Sequence, residues 1–209
     1  EINVIDQTEP RGEGADAWHA DNTYTVTPPM GSLLRVLQLP SSGGDTAFAS
    51  MTAAYEALSP EIRSLCDRLR AVHDVTRSLT RAIERGHSVA DLQEVQKRLP
   101  PVEHPVVIVH PETGRRALFV NVNSTVRICG LRDAESDMLL RFLFEHTKQP
   151  EFQVRVRWDT HSLVFLDNRC TQHYAVADYN ERRVLHRVAV EGERPLGVAD
   201  WQERLDQAS

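Results

Sequence analysis

The sequence predicts one mainly β domain, a sandwich or jelly roll with helices set between short strands. Three observations support this prediction. The 209 residues are enough for one substantial core but not for two. Short apolar runs recur between turn-forming residues in both halves of the chain. Helical spacing of apolar residues is confined to a few stretches between these runs.

The N-terminal region contains two predicted strands separated by a polar loop. The chain starts at Glu1 in a strand-like stretch, and residues 8–16 form the loop. Residues 32–39 are rich in Leu and Val and form the second strand, which is followed by a Pro/Ser/Gly turn at residues 40–45. Because the chain opens inside a strand, we expect the single domain of residues 1–209 to lack an N-terminal segment.

Residues 50–100 are predicted to be a helical insertion. Ser59 followed by Pro60 fits an N-cap and a first helical position. Apolar residues then follow at helical spacing: Ile62, Leu65, Cys66 and Leu69. Residues 76–99 are charged and partly helical in pattern, with Ser88 as the expected cap of a helix. Since residues 76–99 interrupt a β pattern, we expect this part of the insertion to run over the surface or to act as a lid.

The second half of the chain returns to strands around one helix. A hairpin is predicted for residues 106–120, beside which His104 and His110 are expected near the surface. Residues 133–147 form a predicted helix with Met138, Leu139, Phe142 and Leu143 on its apolar side. Three final strands are predicted at residues 152–158, 162–166 and 183–190.

Charge and cysteine content exclude several classes of function. The net charge of −6 gives no sign of a nucleic-acid or acidic-membrane partner. No apolar run approaches the roughly 20 residues that span a bilayer, and no signal-peptide pattern is present. The three cysteines, Cys66, Cys129 and Cys170, form no CxxC pair, which indicates idle thiols in a reducing compartment. A cytoplasmic protein is therefore expected.

A candidate metal site begins at His19-x-Asp21. In an extended segment, residues i and i+2 point to the same side, so the imidazole and the carboxylate could reach one ion. A later histidine, His173, would complete a set of two histidines and one carboxylate, which leaves coordination positions open on Fe(II). The pattern is weak alone, because with nine histidines in the chain it also arises by chance.

The last predicted strand carries two arginines on one face. Arg183 and Arg187 lie four residues apart with Leu185 between them, while Val184 and Val188 take the opposite face. Two guanidinium groups in a pocket would bind a carboxylate or a sulfonate through paired hydrogen bonds. The alternative is a solvated arginine face, and the strand pattern leaves both open.

These residues belong to a series of motifs through which the chain resembles the taurine dioxygenase family of Fe(II)/2-oxoglutarate oxygenases. That family includes taurine, alkylsulfate and aryloxyalkanoate dioxygenases. The motifs are collinear and cover nearly the whole chain: Trp18-His19-Ala20-Asp21, Pro28-Pro29-Met30-Gly31-Ser32, Gly43-Gly44-Asp45-Thr46, residues 51–59, His104-Pro105-Val106-Val107, His110-Pro111-Glu112-Thr113-Gly114, residues 167–175 and residues 182–187.

The resemblance implies a double-stranded β-helix, a cupin-like jelly roll with flanking helices, and an oxygenase that uses Fe(II), 2-oxoglutarate and O₂. It assigns His19, Asp21 and His173 as the iron ligands. Thr46 and Arg183 would bind the distal carboxylate of 2-oxoglutarate.

The resemblance also implies a substrate class. Arg187 and the backbone N–H of Asn22 would bind the anionic group of a small organic substrate, in some members a sulfonate or sulfate ester. The expected reaction hydroxylates a C–H bond of that substrate and releases succinate and CO₂. Family members commonly form dimers or tetramers, so a homo-oligomer is expected.

Some positions depart from the family pattern, and three other functions stay open. Ala20 and Asn22 replace the usual threonine and valine, and residues 120–125 differ from the commoner pattern, which suggests a different substrate. One alternative is the same chemistry on a carboxylated molecule. A second is a non-redox cupin-like enzyme using zinc or manganese, which would not need Thr46 and Arg183. A third is a binding module without turnover, against which the intact set of three ligands argues.

Overall fold

The computed structural model describes residues 1–10 and 16–208. Residues 11–15, which belong to the predicted polar loop, lie outside the described part. The strands are β1 (Asn3–Gln7), β2 (Gly31–Gln38), β3 (Thr46–Ser50), β4 (Arg70–His73), β5 (Val102–Pro105), β6 (Val107–Val109), β7 (Arg116–Leu118), β8 (Thr125–Ile128), β9 (Gln153–Val156), β10 (Leu163–Asp167), β11 (Thr171–Ala175) and β12 (Arg183–Val190). The helices are α1 (Met51–Glu56), α2 (Pro60–Cys66), α3 (Thr76–Glu84), α4 (Leu92–Arg98), α5 (Asp133–His146) and α6 (Val198–Ala208).

Two antiparallel sheets form the jelly roll. The first has the strand order β1-β12-β2-β10, and the second has the order β11-β3-β9. Their inner faces share a small apolar core of Leu34, Val36, Phe48, Trp158, Leu166 and Leu185. The predicted mainly β jelly roll is therefore confirmed, with sheets that do not close into a barrel.

A second and larger core lies between the helices and the remaining strands. It joins α1 and α5 to the β6–β7 hairpin and to the small sheet β5-β4-β8. Its largest fully buried side chains are Met51, Leu118, Ile128 and Leu143. Within the described residues, no helix has the length and apolar character needed to cross a membrane.

The cap at Ser59 is confirmed, but the cap at Ser88 is wrong. The Ser59 hydroxyl accepts the backbone N–H of Ile62 at the start of α2. Helix α4 begins after Asp91 instead of Ser88, because the Asp91 carboxylate accepts the N–H groups of two residues in the first turn. A carboxylate at this position also interacts favourably with the helix dipole.

The apolar side of α5 is displaced from the predicted one. Met138 is 62% exposed and Phe142 is 45% exposed, whereas Leu139, Leu140 and Leu143 are buried. Half of the predicted residues were wrong, because the apolar residues of α5 come in adjacent pairs and either member of a pair fits helical spacing. The packing of α5 on β8 determines which member faces the core.

The stretch predicted as a helical insertion, residues 50–100, also contains a strand and part of the larger core. It contains β4, which pairs with β5 and β8, and α1, which buries Met51 and Ala54 in the larger core. Within this stretch, α3 and α4 are the helices that contain no buried residue. A lid role therefore remains a prediction for α3 and α4.

Candidate active site

The structure brings the three predicted metal ligands together. The ligand atoms of His19, Asp21 and His173 all lie within 4.8 Å of one another. The two histidines are joined as a reciprocal backbone pair, in which each N–H donates to the other's carbonyl at 3.0 and 2.8 Å. His173 lies on β11, a strand absent from the predicted elements, and is held opposite Phe48 of β3. The position of both imidazoles is thus set by sheet pairing.

Different contacts hold the two histidine rings. The Nδ1–H of His19 donates to the Ala17 carbonyl at 2.7 Å, which leaves Nε2 facing the Asp21 carboxylate at 3.6 Å. His173 is buried, and its Nδ1 has no hydrogen-bond partner among the described residues. Burial, followed by repulsion from His19, lowers the pKa of His173 to about 3. Its ring is therefore uncharged at neutral pH.

Asp21 supplies the negative charge of the cluster. The Ser32 hydroxyl donates to its Oδ2 at 2.7 Å, and the Arg187 guanidinium donates to its Oδ1 at 2.9 Å. Burial opposes ionisation of Asp21, but the adjacent His19 imidazole and the Arg187 guanidinium favour its charged form, and its pKa is lowered. The group is consequently a carboxylate throughout the physiological pH range.

This donor set fits Fe(II). Two imidazole nitrogens and one carboxylate on one side of an ion form the set that non-haem Fe(II) enzymes use, with other positions open for ligands. The His19 hydrogen bond to a backbone carbonyl is the orientation that metal-bound histidines usually show. The buried, unpaired nitrogen of His173 indicates that this ring is not placed for a structural hydrogen bond within the described residues.

Thr46 lies further along the ladder that holds His173, and the buried Arg183 of the other sheet donates to it. Thr46 lies two residues before Phe48 on β3, so the two side chains lie on the same face of the strand. Phe48 is the residue that pairs with His173. Arg183 is only 3% exposed and donates to the Gly44 carbonyl at 2.9 Å and to the Thr46 hydroxyl at 3.3 Å. Burial lowers the pKa of Arg183. It forms no ion pair with any carboxylate in residues 1–10 and 16–208.

The hydroxyl of Thr46 is oriented by its neighbours. It accepts hydrogen bonds from the indole Nε1–H of Trp158 at 3.0 Å and from Arg183. With both lone pairs taken, the hydroxyl proton is left to donate. Together with those N–H groups of Arg183 that have no partner in residues 1–10 and 16–208, it forms a site for a carboxylate.

Arg187 and Asn22 lie on either side of Asp21. Arg187 shares the inward face of β12 with Arg183, as predicted, but its guanidinium contacts Asp21. Asn22 follows Asp21 in a left-handed conformation with φ of 49°. Asparagine tolerates this conformation, whereas a β-branched valine is disfavoured there. No acceptor among the described residues takes the backbone N–H of Asn22.

Asn168 is the main site residue that the sequence did not reveal. Its side-chain Oδ1 accepts the Asp21 backbone N–H at 2.6 Å, and its Nδ2 donates to the Asp21 carbonyl at 3.0 Å. Ser32 and Trp158 were also missed. Ser32 could have been suspected, because it is a small polar residue in a strand that is otherwise apolar.

A second group of possible ligand atoms, from His110, Asp167 and Cys170, is better explained as a structural network. The Arg169 guanidinium donates to the Asp167 carboxylate at 2.6 Å, and the His110 Nε2–H donates to the same carboxylate at 2.9 Å. A fixed cation at this carboxylate disfavours a metal ion. His110 and His104 are both buried, so their predicted surface position is wrong.

Two buried histidines lie behind the turn that carries Asp21. The Nδ1 of His73 on β4 lies 3.0 Å from the Thr23 hydroxyl, and its ring meets that of His104 edge to face at 5.2 Å. Burial, with repulsion from His104, lowers the pKa of His73 to about 3. Burial also lowers the pKa of His104.

We expect His73 to make the metal-free protein less stable as the pH falls from 6.5. The unfolded chain protonates this histidine near its ordinary pKa of 6.5, but the folded chain does so only near 3. The stabilisation is therefore complete above pH 6.5 and decreases toward pH 3 by about 1.4 kcal/mol per pH unit for one group. Urea unfolding between pH 7.5 and 5 measures this slope. His73→Asn should reduce the slope, whereas His161→Asn, which changes an exposed histidine, should retain it. Equal slopes for all three proteins would contradict the prediction.

Comparison with known proteins identifies the family. The profile described as taurine catabolism dioxygenase TauD, TfdA family matches residues 2–189. The chain is 39% identical over 192 residues to an alpha-ketoglutarate-dependent sulfate ester dioxygenase of Pseudomonas putida, and 35% identical over 205 residues to an alkylsulfatase of Acinetobacter baylyi. It is 37% identical over 171 residues to an alpha-ketoglutarate-dependent 2,4-dichlorophenoxyacetate dioxygenase of Cupriavidus pinatubonensis.

These alignments cover 90%, 93% and 81% of this chain, and the chain spans 64%, 62% and 58% of the three relatives. Solved structures show the same fold. A taurine dioxygenase from Burkholderia xenovorans superposes with a TM-score of 0.80 at 35% identity, covering 96% of this chain and 67% of that one. A protein named AAD-2, solved in complex with Mn(II) and N-oxalylglycine, superposes with a TM-score of 0.80 at 31% identity, covering 93% and 73%. The chain therefore belongs to the TauD/TfdA family of taurine catabolism dioxygenases.

Proposed function

We propose that this protein is an Fe(II)- and 2-oxoglutarate-dependent dioxygenase that hydroxylates a C–H bond of a small anionic substrate and releases succinate and CO₂. One observation carries the proposal: Arg183, a buried arginine that forms no salt bridge within the described residues, donates to Thr46 on β3, the strand that pairs with the His173 strand. A metal site alone would fit many reactions, but a metal site with a carboxylate receptor beside it fits a 2-oxo acid.

Each residue has a defined part in the proposed mechanism. His19, Asp21 and His173 would hold Fe(II), which together with bound 2-oxoglutarate supplies the activation of O₂ for C–H hydroxylation. Thr46 and Arg183 would bind the distal carboxylate and so fix the co-substrate in one orientation. Phe48, whose ring stacks on His173 at 6.0 Å, would shield that side of the site from water.

Arg187 and the N–H of Asn22 would bind the anionic group of the substrate. In the described structure Arg187 pairs with Asp21, and a bound divalent ion would compensate the Asp21 charge in its place. The guanidinium would then be available to an incoming anion. Its planar donors suit a sulfate, a sulfonate or a carboxylate.

Relatives named as acting on sulfate esters favour a sulfate ester or sulfonate as the substrate. A carboxylated substrate is the second candidate, because the 2,4-dichlorophenoxyacetate dioxygenase is a relative of similar identity. Cytoplasmic location belongs to the same proposal, and the three unpaired cysteines support it. Assembly into a homo-oligomer is a further prediction, which sedimentation of the purified protein tests.

The metal and the co-substrate should produce a shared spectroscopic signal. We expect anaerobic addition of Fe(II) and 2-oxoglutarate to give the weak visible charge-transfer band of an iron-bound 2-oxo acid. Fe(II) with succinate, which lacks the keto group, is the matched control and should give no band. A folded protein that binds Fe(II) but shows no band with 2-oxoglutarate would refute the proposed function.

Succinate release decides between the substrate classes. We expect stimulation above the substrate-free rate by sulfate esters or sulfonates, with carboxylates of the same carbon skeleton as matched comparisons. Greater stimulation by the carboxylates would favour the second candidate. No stimulation by any compound, in a protein that shows the charge-transfer band, would contradict the assignment of an anionic substrate.

A further inference from the structure

We infer that Asn168 is a positioning residue for the metal centre, which fixes Asp21 through its backbone and closes the segment of residues 21–30. This inference rests on the proposed function, because it assigns a role toward the metal that His19, Asp21 and His173 would hold. It concerns a residue that contributes no atom to the metal and contacts no predicted substrate group.

Both the oxygen and the nitrogen of the Asn168 side-chain amide form hydrogen bonds to residues 21–30. Its Oδ1 accepts the Asp21 N–H at 2.6 Å, and its Nδ2 donates to the carbonyls of Asp21 at 3.0 Å and Pro29 at 2.9 Å. The backbone N–H of Asn168 donates in addition to the Met30 carbonyl at 2.9 Å. One residue therefore holds the first and the last residues of the segment that begins with the ligand.

Asn168 is itself rigidly held. It is 1% exposed, and the residues on either side of it are tied down by ion pairs. Arg169 contacts the Asp167 carboxylate at 2.6 Å and the Glu112 carboxylate at 2.9 Å. The His110 ring contacts the same carboxylate oxygen of Asp167 at 2.9 Å. The ion pairs of Asp167 and Arg169 thus hold the backbone on both sides of Asn168 in place.

The geometry links Asn168 to the metal and not merely to stability. The direction of the Asp21 carboxylate follows from its backbone, and both backbone polar groups of Asp21 bond to Asn168. The segment also contains Asn22 in its left-handed conformation, which has no regular secondary structure to hold it. Without the amide, the peptide groups of Asp21 would be buried and unsatisfied, so the segment would rearrange.

Metal affinity provides a test that does not depend on turnover. Binding of Mn(II) is measured from the electron paramagnetic resonance signal of the free ion, in the presence of 2-oxoglutarate. We expect Asn168→Ala and Asn168→Ser to weaken Mn(II) binding by about 10–100-fold, as loss of a group that orients a metal ligand typically does. Gln172→Ala is the matched control, because this buried amide bonds to Met51 and to the Val120 carbonyl instead of to Asp21. It should lower the melting temperature and leave Mn(II) affinity near that of the unmodified protein.

The outcomes separate the inference from the proposed function. If the unmodified protein binds neither Mn(II) nor Fe(II), the proposed function fails. If it binds Mn(II) and both Asn168 variants bind equally well with lowered melting temperatures, Asn168 is only structural and the inference is overturned. Should neither variant fold, hydrogen exchange in the unmodified protein decides. Slow exchange of the Asp21 amide is expected, and exchange at the rate of an exposed loop would overturn the inference.

Discussion

Replacing Asp21 with alanine is expected to abolish metal-dependent turnover and to weaken divalent-metal binding by more than about 100-fold, the upper end of the loss seen when only an orienting neighbour of a ligand is removed. Asp21 is the one carboxylate in the cluster, so the variant leaves only the two imidazoles as ligands. It also removes the carboxylate that Arg187 contacts at 2.9 Å. The guanidinium charge would then face the vacated position and repel a cation.

Titration with Mn(II) measures this effect directly. Asp6→Ala is the matched control, since it also removes an aspartate that pairs with an arginine, Arg182, but at an exposed site away from the cluster. The control should bind Mn(II) as the unmodified protein does. If Asp21→Ala were to retain that affinity, His19 and His173 would have to act with some other group, and the proposed ligand set would be wrong.

Replacing Arg183 with methionine is expected to raise the KM for 2-oxoglutarate by roughly 30-fold or more, since loss of one partner of a buried charge pair costs about 2 kcal/mol or more. The methionine preserves much of the apolar stem and removes the guanidinium. Because Arg183 would bind the end of the co-substrate remote from the reacting carbon, the loss should fall mainly on KM, with kcat at saturation reduced less.

His186→Ala supplies the comparison on the same strand. His186 lies three residues beyond Arg183 on β12, on the opposite face, where it pairs with Arg35 and Val4 of the adjacent strands. Its replacement should leave the KM for 2-oxoglutarate almost unchanged. Equal increases in the two variants would show that the carboxylate receptor does not lie on the inward face of β12.

The ligands and arginines of the site were easier to predict from the sequence than the residues that hold them in place. His19 and Asp21 stand close together in the sequence, and Arg183 and Arg187 reveal their common face through alternation, so local geometry was sufficient to group them. The pairing of His19 with His173 followed only from family resemblance. The partner of Arg187 could not be predicted, because a guanidinium on an inward face can reach several anions and only the fold decides which one is near.

The hydrogen bonds of Asn168 show why the remainder was inaccessible. An asparagine after a strand usually indicates a turn, since its side chain often bonds to its own nearby backbone. Here the amide bonds to a peptide group 147 positions earlier in the chain. Strand β11 was missed for a related reason: its five residues include Gln172 and His173 and lack the apolar alternation of a half-buried strand.

The same separation has a consequence for the order of events during synthesis and folding. Contacts between chain positions so far apart form late, because the entropy of closing a long loop must be overcome before they contribute. An emerging chain would carry His19 and Asp21 without a competent site until β10 and β11 had been synthesised and had joined the sheets. A metal that binds the native state alone also shifts the folding equilibrium toward it. If the proposed function holds, the supply of the metal would thus influence the stability of the protein as well as its turnover.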